Sequence, residues 1–311
     1  MRSQIVSAMA AGVFALPAAA LAHRLPQEIE PNATAGEATP LVAPARIQGN
    51  ILPNGDVDVY SFTASAGDRV FAATMTSWSA SASTDSVLDL LDTDGTTVLE
   101  TDNDDGTLGA TSSSIAGAVI PADGTYYLRV RHSVATGQLR PYELYVVLRG
   151  GLQQVEVEPN DVFPGTPLSG TGWAGGALAN GLDVDNYAID LQAGETVFVS
   201  LDLDPERDTV EWNGRVGLGT FGGLVLVVND AGAETPDSEA LFMTARNAGT
   251  YGIQVLSATG VESGTYQLSA QIFPAPPPCL VANSLNVPVA IPAGPGVATS
   301  TLDLFECIRT G

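Results

Sequence analysis

The chain has 311 residues, with 12 basic and 35 acidic side chains and a formal net charge of −23. Every cation is an arginine, so neither a Schiff-base lysine nor a P-loop lysine is available; so anionic a surface also repels nucleic acid, which is bound through Lys and Arg that displace counterions. With 45% hydrophobic and 15% charged residues, the chain has the material for a packed core and is not an acidic disordered tail.

Residues 1–22 read as a secretory signal peptide. Arg2 supplies the short positive region, an apolar stretch runs from Ile5 to Leu21, and Ala20-Leu21-Ala22 offers a small-x-small cleavage site. Cleavage near Ala22 implies a secreted protein, extracellular or periplasmic, and no later apolar run is long enough for a membrane span.

Beyond the signal peptide the chain is a tandem repeat. Glu28-Ile29-Glu30-Pro31-Asn32 returns as Glu156-Val157-Glu158-Pro159-Asn160, and Asp56-Val57-Asp58-Val59-Tyr60 returns as Asp183-Val184-Asp185-Asn186-Tyr187. Gly124-Thr125-Tyr126 matches Gly249-Thr250-Tyr251, and Tyr142-Glu143-Leu144 matches Tyr266-Gln267-Leu268. The offset narrows only from 128 to 124 residues, which predicts two homologous domains at 26–150 and 152–273. Within each, apolar and polar residues alternate over short runs bounded by Gly, Asp and Pro, and no stretch has a helical period. The expected fold is all-β: two tandem antiparallel, jelly-roll-like β-sandwiches.

Pro274 to Pro278 is a stiff Pro-rich linker, and residues 279–311 form a short tail that reads as an incomplete domain, too small to fold without a crosslink. Cys279 and Cys307 are the two cysteines of an exported chain and are expected to form a disulfide across that tail.

The acidic residues kept in register are the candidate functional groups. Glu28, Glu30, Asn32, Asp56 and Asp58 recur as Glu156, Glu158, Asn160, Asp183 and Asp185, with Asp161 added in the second copy. Hard cations take six to eight oxygen ligands, which carboxylates and an Asn amide supply, so Ca²⁺ is the expected cofactor. Alternate residues of an extended segment share a face, so Glu28 and Glu30 can meet one ion, as can Asp56 and Asp58. Solvated edge charges that deter aggregation are the plainer reading, but they have no need to repeat this order and spacing.

On these motifs both copies resemble the bacterial pre-peptidase C-terminal domain, a β-sandwich found beside the catalytic domains of secreted peptidases. The matching features are Glu-Pro-Asn, Gly-Asp-x-Asp-x-Tyr, which the second copy departs from with Gly181-Leu182 before Asp183, an Ala-Gly turn at Ala66-Gly67, the Leu88–Gly95 strand ending in Asp-x-Asp-Gly, Gly-Thr-Tyr and a closing Tyr-x-Leu. The resemblance implies calcium held between the Glu-Pro-Asn segment and the Asp-x-Asp strand, ordering the start of each domain. Ala33 stands where the family has Asp, which implies a weaker first site; the second copy keeps Asp161 but has Val228-Asn229-Asp230-Ala231-Gly232 in place of Asp-x-Asp-Gly. The tail is weakly similar to the opening strands of a proprotein-convertase P domain, through Leu285 to Pro292 and Ser300-Thr301-Leu302.

Other motifs carry less. Asp92 to Thr101 fails the EF-hand register, and Gly217 to Gly222 spells a dinucleotide fingerprint but runs into a strand instead of a helix. Neither HExxH nor GxSxG occurs, His132 is expected at the surface, and Trp78, Trp173 and Trp212 are expected in cores. The reading is a non-catalytic, calcium-binding accessory or adhesion module that binds an extracellular protein or polysaccharide polymer or accompanies a secreted peptidase. A glycoside hydrolase with a carboxylate pair and a structural cell-surface spacer are the alternatives.

Overall fold

The computed structural model describes residues 25–275, apart from 82, 105, 108–110, 209–211, 221–224 and 230–236, and gives no side-chain environment for 225–229. Residues 1–24, where a signal peptide is expected, residues 276–278, the tail and both cysteines lie outside the described residues. Residues Leu25–Ala275 belong to one compact unit. No helix among the described residues is long and apolar enough to cross a membrane.

The first half contains β1 (Thr39–Pro40), β2 (Ala45–Ile51), β3 (Val57–Ala64), β4 (Arg69–Met75), β5 (Ser86–Leu91), β6 (Val98–Asp102), β7 (Ser114–Val119), β8 (Gly124–His132) and β9 (Leu139–Arg149). The second contains β10 (Gln154–Val155), β11 (Thr166–Pro167), β12 (Trp173–Ala177), β13 (Val184–Leu191), β14 (Thr196–Asp202), β15 (Gly214–Thr220), β16 (Val225–Asn229), β17 (Ser238–Thr244), β18 (Gly249–Ser257) and β19 (Thr265–Phe273). They form four sheets. Sheet I has the order β1-β3-β8-β5-β6, sheet II β2-β9-β4-β7, sheet III β10-β12-β19-β14-β17 and sheet IV β11-β13-β18-β15-β16. Strand for strand, sheet IV repeats sheet I and sheet III repeats sheet II, with β10 added at its edge. The fold is the expected pair of all-β sandwiches.

Alternation along the strands builds each core. Tyr60, Phe62, Leu88, Leu90, Leu128 and Val130 of sheet I meet Val70, Ala72, Leu144 and Val146 of sheet II. In the second sandwich Tyr187, Val216, Ile253 and Val255 meet Val197, Val199, Leu201 and Leu268. The opposite faces of sheets II and III are also apolar, and they pack on each other: Phe71, Ala73, Met75, Tyr145 and Val147 meet Trp173, Phe198, Ala240 and Phe242 in a third cluster. Tyr145 stacks on Phe198 at 4.9 Å and on Phe242 at 5.5 Å between ring centroids. Runs such as Val70-Phe71-Ala72-Ala73 are therefore continuous because both faces of the strand are buried. Each large apolar side chain contributes roughly 1.5–3 kcal/mol when fully buried, so the contact between sandwiches is a core in its own right.

Arginines hold this contact at its polar margins. Arg46 pairs with Glu143 at 2.8 Å and reaches Thr196 Oγ1. Arg69 Nη1 donates to Gly117 O and to Pro205 O across the boundary. Arg207 pairs with Asp202 at 2.7 Å, lies 3.4 Å from Glu100 of the first sandwich and donates to Ala116 O. Gly117 has a φ of +75° where the β4–β7 register shifts, and a Cβ there would collide with the Asp202 carboxylate, so the bulge needs glycine twice over.

Some sequence expectations need correcting. His132 is only 6% exposed, because it continues the inward parity of Tyr126, Leu128 and Val130, and its Nδ1 accepts the Val134 amide hydrogen. Trp173 and Trp212 are buried as expected, whereas Trp78 is 39% exposed and lies edge-on to Phe242.

Candidate metal centres

The first candidate centre lies where the lead-in segment meets β2 and β3. Residues 26–28 run alongside β2, with the Glu28 amide donating to Gln48 O and the Gln48 amide to Pro26 O. Farther along, Val59 of β3 donates to Asn32 O, which lashes the Glu-x-Glu-Pro-Asn segment across the sandwich end. Thr39 Oγ1 steadies the middle by accepting from Ile29 N. The second sandwich repeats this: Glu156 donates to Gly175 O, Asn186 donates to Asn160 O, and Val157 donates to Thr166 Oγ1. The Glu30–Pro31 and Glu158–Pro159 peptides are both cis.

This backbone brings three carboxylates together in each copy. Oxygens of Glu28, Glu30 and Asp58 lie within 4.8 Å of one another, as do oxygens of Glu156, Glu158 and Asp185. Asp58 and Asp185 are buried at the floor, and Glu30 and Glu158 are exposed at the rim. Asn32 and Asn160 are buried beside them.

Asp56 and Asp183 stand outside these groups. Asp56 accepts from the Leu52 and Val57 amides, and Asp183 from the Ala179 and Val184 amides, so each closes the turn before its strand. Asp161 is exposed and also outside the three-carboxylate group.

Burial beside like charges raises the proton affinity of the floor carboxylates. Burial, and then the facing Glu28 carboxylate, holds Asp58 well above the usual aspartate range; burial does the same to Asp185, with Glu156 adding to it. Glu30 is raised by burial and by Asp56 and Glu28. A divalent cation relieves this repulsion, and the polar atoms fit one. Asp185 Oδ1 and both the oxygen and the nitrogen of the Asn160 amide are buried with no hydrogen-bond partner among the described residues, so the amide oxygen is free to turn toward an ion. In the first copy one end of the Asn32 amide lies 3.1 Å from Glu30 Oε2 and 3.3 Å from Asp58 Oδ1. As nitrogen it donates to both; as oxygen it completes a ring of acceptors that only a cation makes favourable. Both acidic groups are able to hold a metal ion, with hard oxygen donors throughout.

A pair of tyrosines supports each floor carboxylate. Tyr60 and Tyr142 share a hydrogen bond of 2.6 Å, and Tyr142 OH donates to Asp58 Oδ2. Tyr187 and Tyr266 share one of 2.7 Å, and Tyr266 OH donates to Asp185 Oδ2 at 2.6 Å, with Glu156 Oε2 2.9 Å away. Burial holds Tyr142 and Tyr266 far above the ordinary phenol value, so they remain donors. Gly49 and Gly176 leave room for these hydroxyls: a Cβ at Gly49 would lie 2.5 Å from the Tyr60 and Tyr142 oxygens, and one at Gly176 would collide with Tyr266 OH and Glu156 Oε2. In the sequence the tyrosines stand as repeat landmarks, and Gly49 and Gly176 recur at the same offset of 127 residues, the signal that finds both.

Residues 56–132, which include Asp58 and Tyr60, match the family model of the bacterial pre-peptidase C-terminal domain. Among solved structures, the pre-peptidase C-terminal domain of a collagenase from Bacillus anthracis is similar at 14% identity and a TM-score of 0.28, covering 40% of this chain and 100% of that one. PliG of Aeromonas hydrophila, a periplasmic inhibitor of g-type lysozyme, is similar at 18% identity and a TM-score of 0.26, covering 39% and 100%. The PBSX exported protein XepA covers 80% of this chain and 98% of its own at 10% identity and a TM-score of 0.26. No curated protein matches the chain.

Proposed function

We propose that the protein is a secreted, non-catalytic accessory module that binds an extracellular polymer, protein or polysaccharide, or accompanies a secreted peptidase, and that each of its two sandwiches is stabilised by Ca²⁺. The observation that carries the metal part is the convergence, twice over, of Glu-x-Glu and the second Asp of Asp-x-Asp on one point beside a buried Asn. Glu28, Glu30, Asn32 and Asp58 would hold the first ion, and Glu156, Glu158, Asn160 and Asp185 the second. Asp56, Asp183 and Asp161 add negative charge nearby.

When bound, the ion neutralises carboxylates that otherwise repel. The protein's own part is to position them: the tyrosine pairs orient the floor aspartates, and the backbone bonds of Asn32 and Asn160 tie the lead-in segments to β3 and β13. A ligand that binds only the folded state stabilises it in proportion to the logarithm of its concentration over its dissociation constant. The match of residues 56–132 to a domain that accompanies secreted peptidases supports the accessory role.

The test is calorimetric titration of calcium into the metal-free chain, with melting followed in parallel. Two binding events and a melting temperature that rises with calcium and falls with EDTA are expected; no binding heat and an unchanged melt would refute the metal reading.

A further inference from the structure

The second sandwich carries a cleft that the cation sites do not use. It has a volume of about 670 Å³, within the size range of ligand pockets, and lies where the end of β9 meets the 167–173 segment and the neighbouring ends of β13, β18 and β19. Arg149, the last residue of β9, fixes this junction by donating to Ser269 Oγ, Thr171 O and Ala270 O at 2.5–2.9 Å.

The lining is chemically specific. Among the described residues its only ionisable side chains are Arg149, committed to those neutral acceptors, and Asp190. Its hydroxyls are coupled to one another or to the carboxylate: Ser169 Oγ and Thr171 Oγ1 are 2.8 Å apart, and Thr250 Oγ1 donates to Asp190 Oδ1 at 2.6 Å. Leu168 adds apolar surface, and Ile189, a core residue only 8% exposed, reaches the lining at its edge. Trp173 also lines the cleft; its Nε1 is buried with no hydrogen-bond partner among the described residues, a donor in want of an acceptor.

An anionic polymer gains nothing here, with the one arginine of the lining already committed and a net charge of −23 on the chain. An extended peptide binds by adding to an open strand edge; among the described residues the edge strand that lines the cleft is the two-residue β11, whose Pro167 has no amide hydrogen to donate, while β18 and β19, which supply Thr250 and Gln271, are interior strands paired on both sides. Sugar rings present apolar faces together with hydroxyls that both donate and accept, and that is the inventory of this lining.

We propose that the cleft binds an uncharged oligosaccharide, with Asp190, Thr250, Ser169 and Thr171 as polar contacts and Leu168 beneath a ring face. This rests on the polymer-binding part of the proposed function and not on the cation sites.

Gly170 offers a clean test, since a Cβ there would meet nothing within 4 Å and its backbone lies outside the left-handed region. Gly170→Trp should fill the cleft without disturbing the fold. Affinity electrophoresis of the full chain, with calcium saturating, would use xylan, mixed-linkage β-glucan and amylose against polygalacturonate and gelatin. Retardation by at least one neutral polysaccharide is expected, abolished in Gly170→Trp and weakened about tenfold in Asp190→Ala. Retardation by polygalacturonate or gelatin alone, by none of the five, or equally in Gly170→Trp would overturn the proposal. The melt and calcium titration of Gly170→Trp, expected to be unchanged, separate a failure of the cleft from a failure of the cation sites.

Discussion

Tyr266 donates its hydroxyl hydrogen to Asp185 Oδ2 at 2.6 Å, and Tyr142 makes the equivalent bond to Asp58 in the other sandwich. The closing strand of each domain thus reaches through the core to orient the floor carboxylate of its candidate cation site. Removing a hydrogen bond that orients a ligand typically costs 10–100-fold in metal affinity. Tyr266→Phe is therefore expected to weaken the second calcium event at least about tenfold and leave the first unchanged, with Tyr142→Phe giving the converse in the same calorimetric titration. Equal affinities in wild type and both variants would show that the tyrosines do not position the aspartates.

Gly176→Ala tests the space above that tyrosine. The new methyl would collide with Tyr266 OH and with Glu156 Oε2, so both must move. A loss of about 1–3 kcal/mol in urea unfolding is expected from the overpacking, together with a weakened second site. The same substitution at Gly170, which faces open space, should leave stability within about 0.5 kcal/mol of wild type.

The aromatic contact between sheets II and III predicts joint unfolding. Phe198 is fully buried against Tyr145, so Phe198→Ala should cost about 3–5 kcal/mol although Phe198 belongs to the inner core of neither sandwich. Calorimetry of the wild type should show one transition whose van't Hoff and calorimetric enthalpies agree. Two well-separated transitions would mean that the sandwiches unfold independently.

The buried acids at the margin of that contact predict a pH dependence. Burial is the largest influence on both, pushing Glu100 up to about 7 and Asp202 up to about 6 against the opposing pull of Arg207; the ordinary values are 4.5 and 3.8. Between those limits the folded state holds protons that the unfolded chain has released, so this contribution is greatest at low pH and is lost as pH rises from about 4 to about 7. Asp202→Asn, which keeps an acceptor for Arg207, should reduce the stability change across that window by roughly 2–3 kcal/mol when urea unfolding of variant and wild type is compared at its two ends. A wild-type curve no steeper than the variant's would count against the assignment.

Much of this was legible in the sequence because β-structure repeats every two residues. Alternation exposed the strands, and the repeat of Glu-Pro-Asn and Asp-x-Asp revealed the two sandwiches and marked the acids. Which acids meet was not legible. Asp56 and Asp58 both sit in the motif, yet only Asp58 lies within β3, where its side chain points inward, while Asp56 precedes the strand and binds turn amides. The same parity buried His132, which was expected at the surface.

The sequence by itself determined the all-β class, the duplication and the acidic candidates, since period, turn chemistry and internal repetition are properties of residues near one another along the chain. Tertiary structure alone decided that Glu28 meets Asp58 and that Tyr266 supports Asp185. It also decided that sheets II and III share a core and that Arg149 closes a cleft against Thr171. Those relationships join residues brought together only when sheets pack, where burial and exclusion of water give a contact its energy.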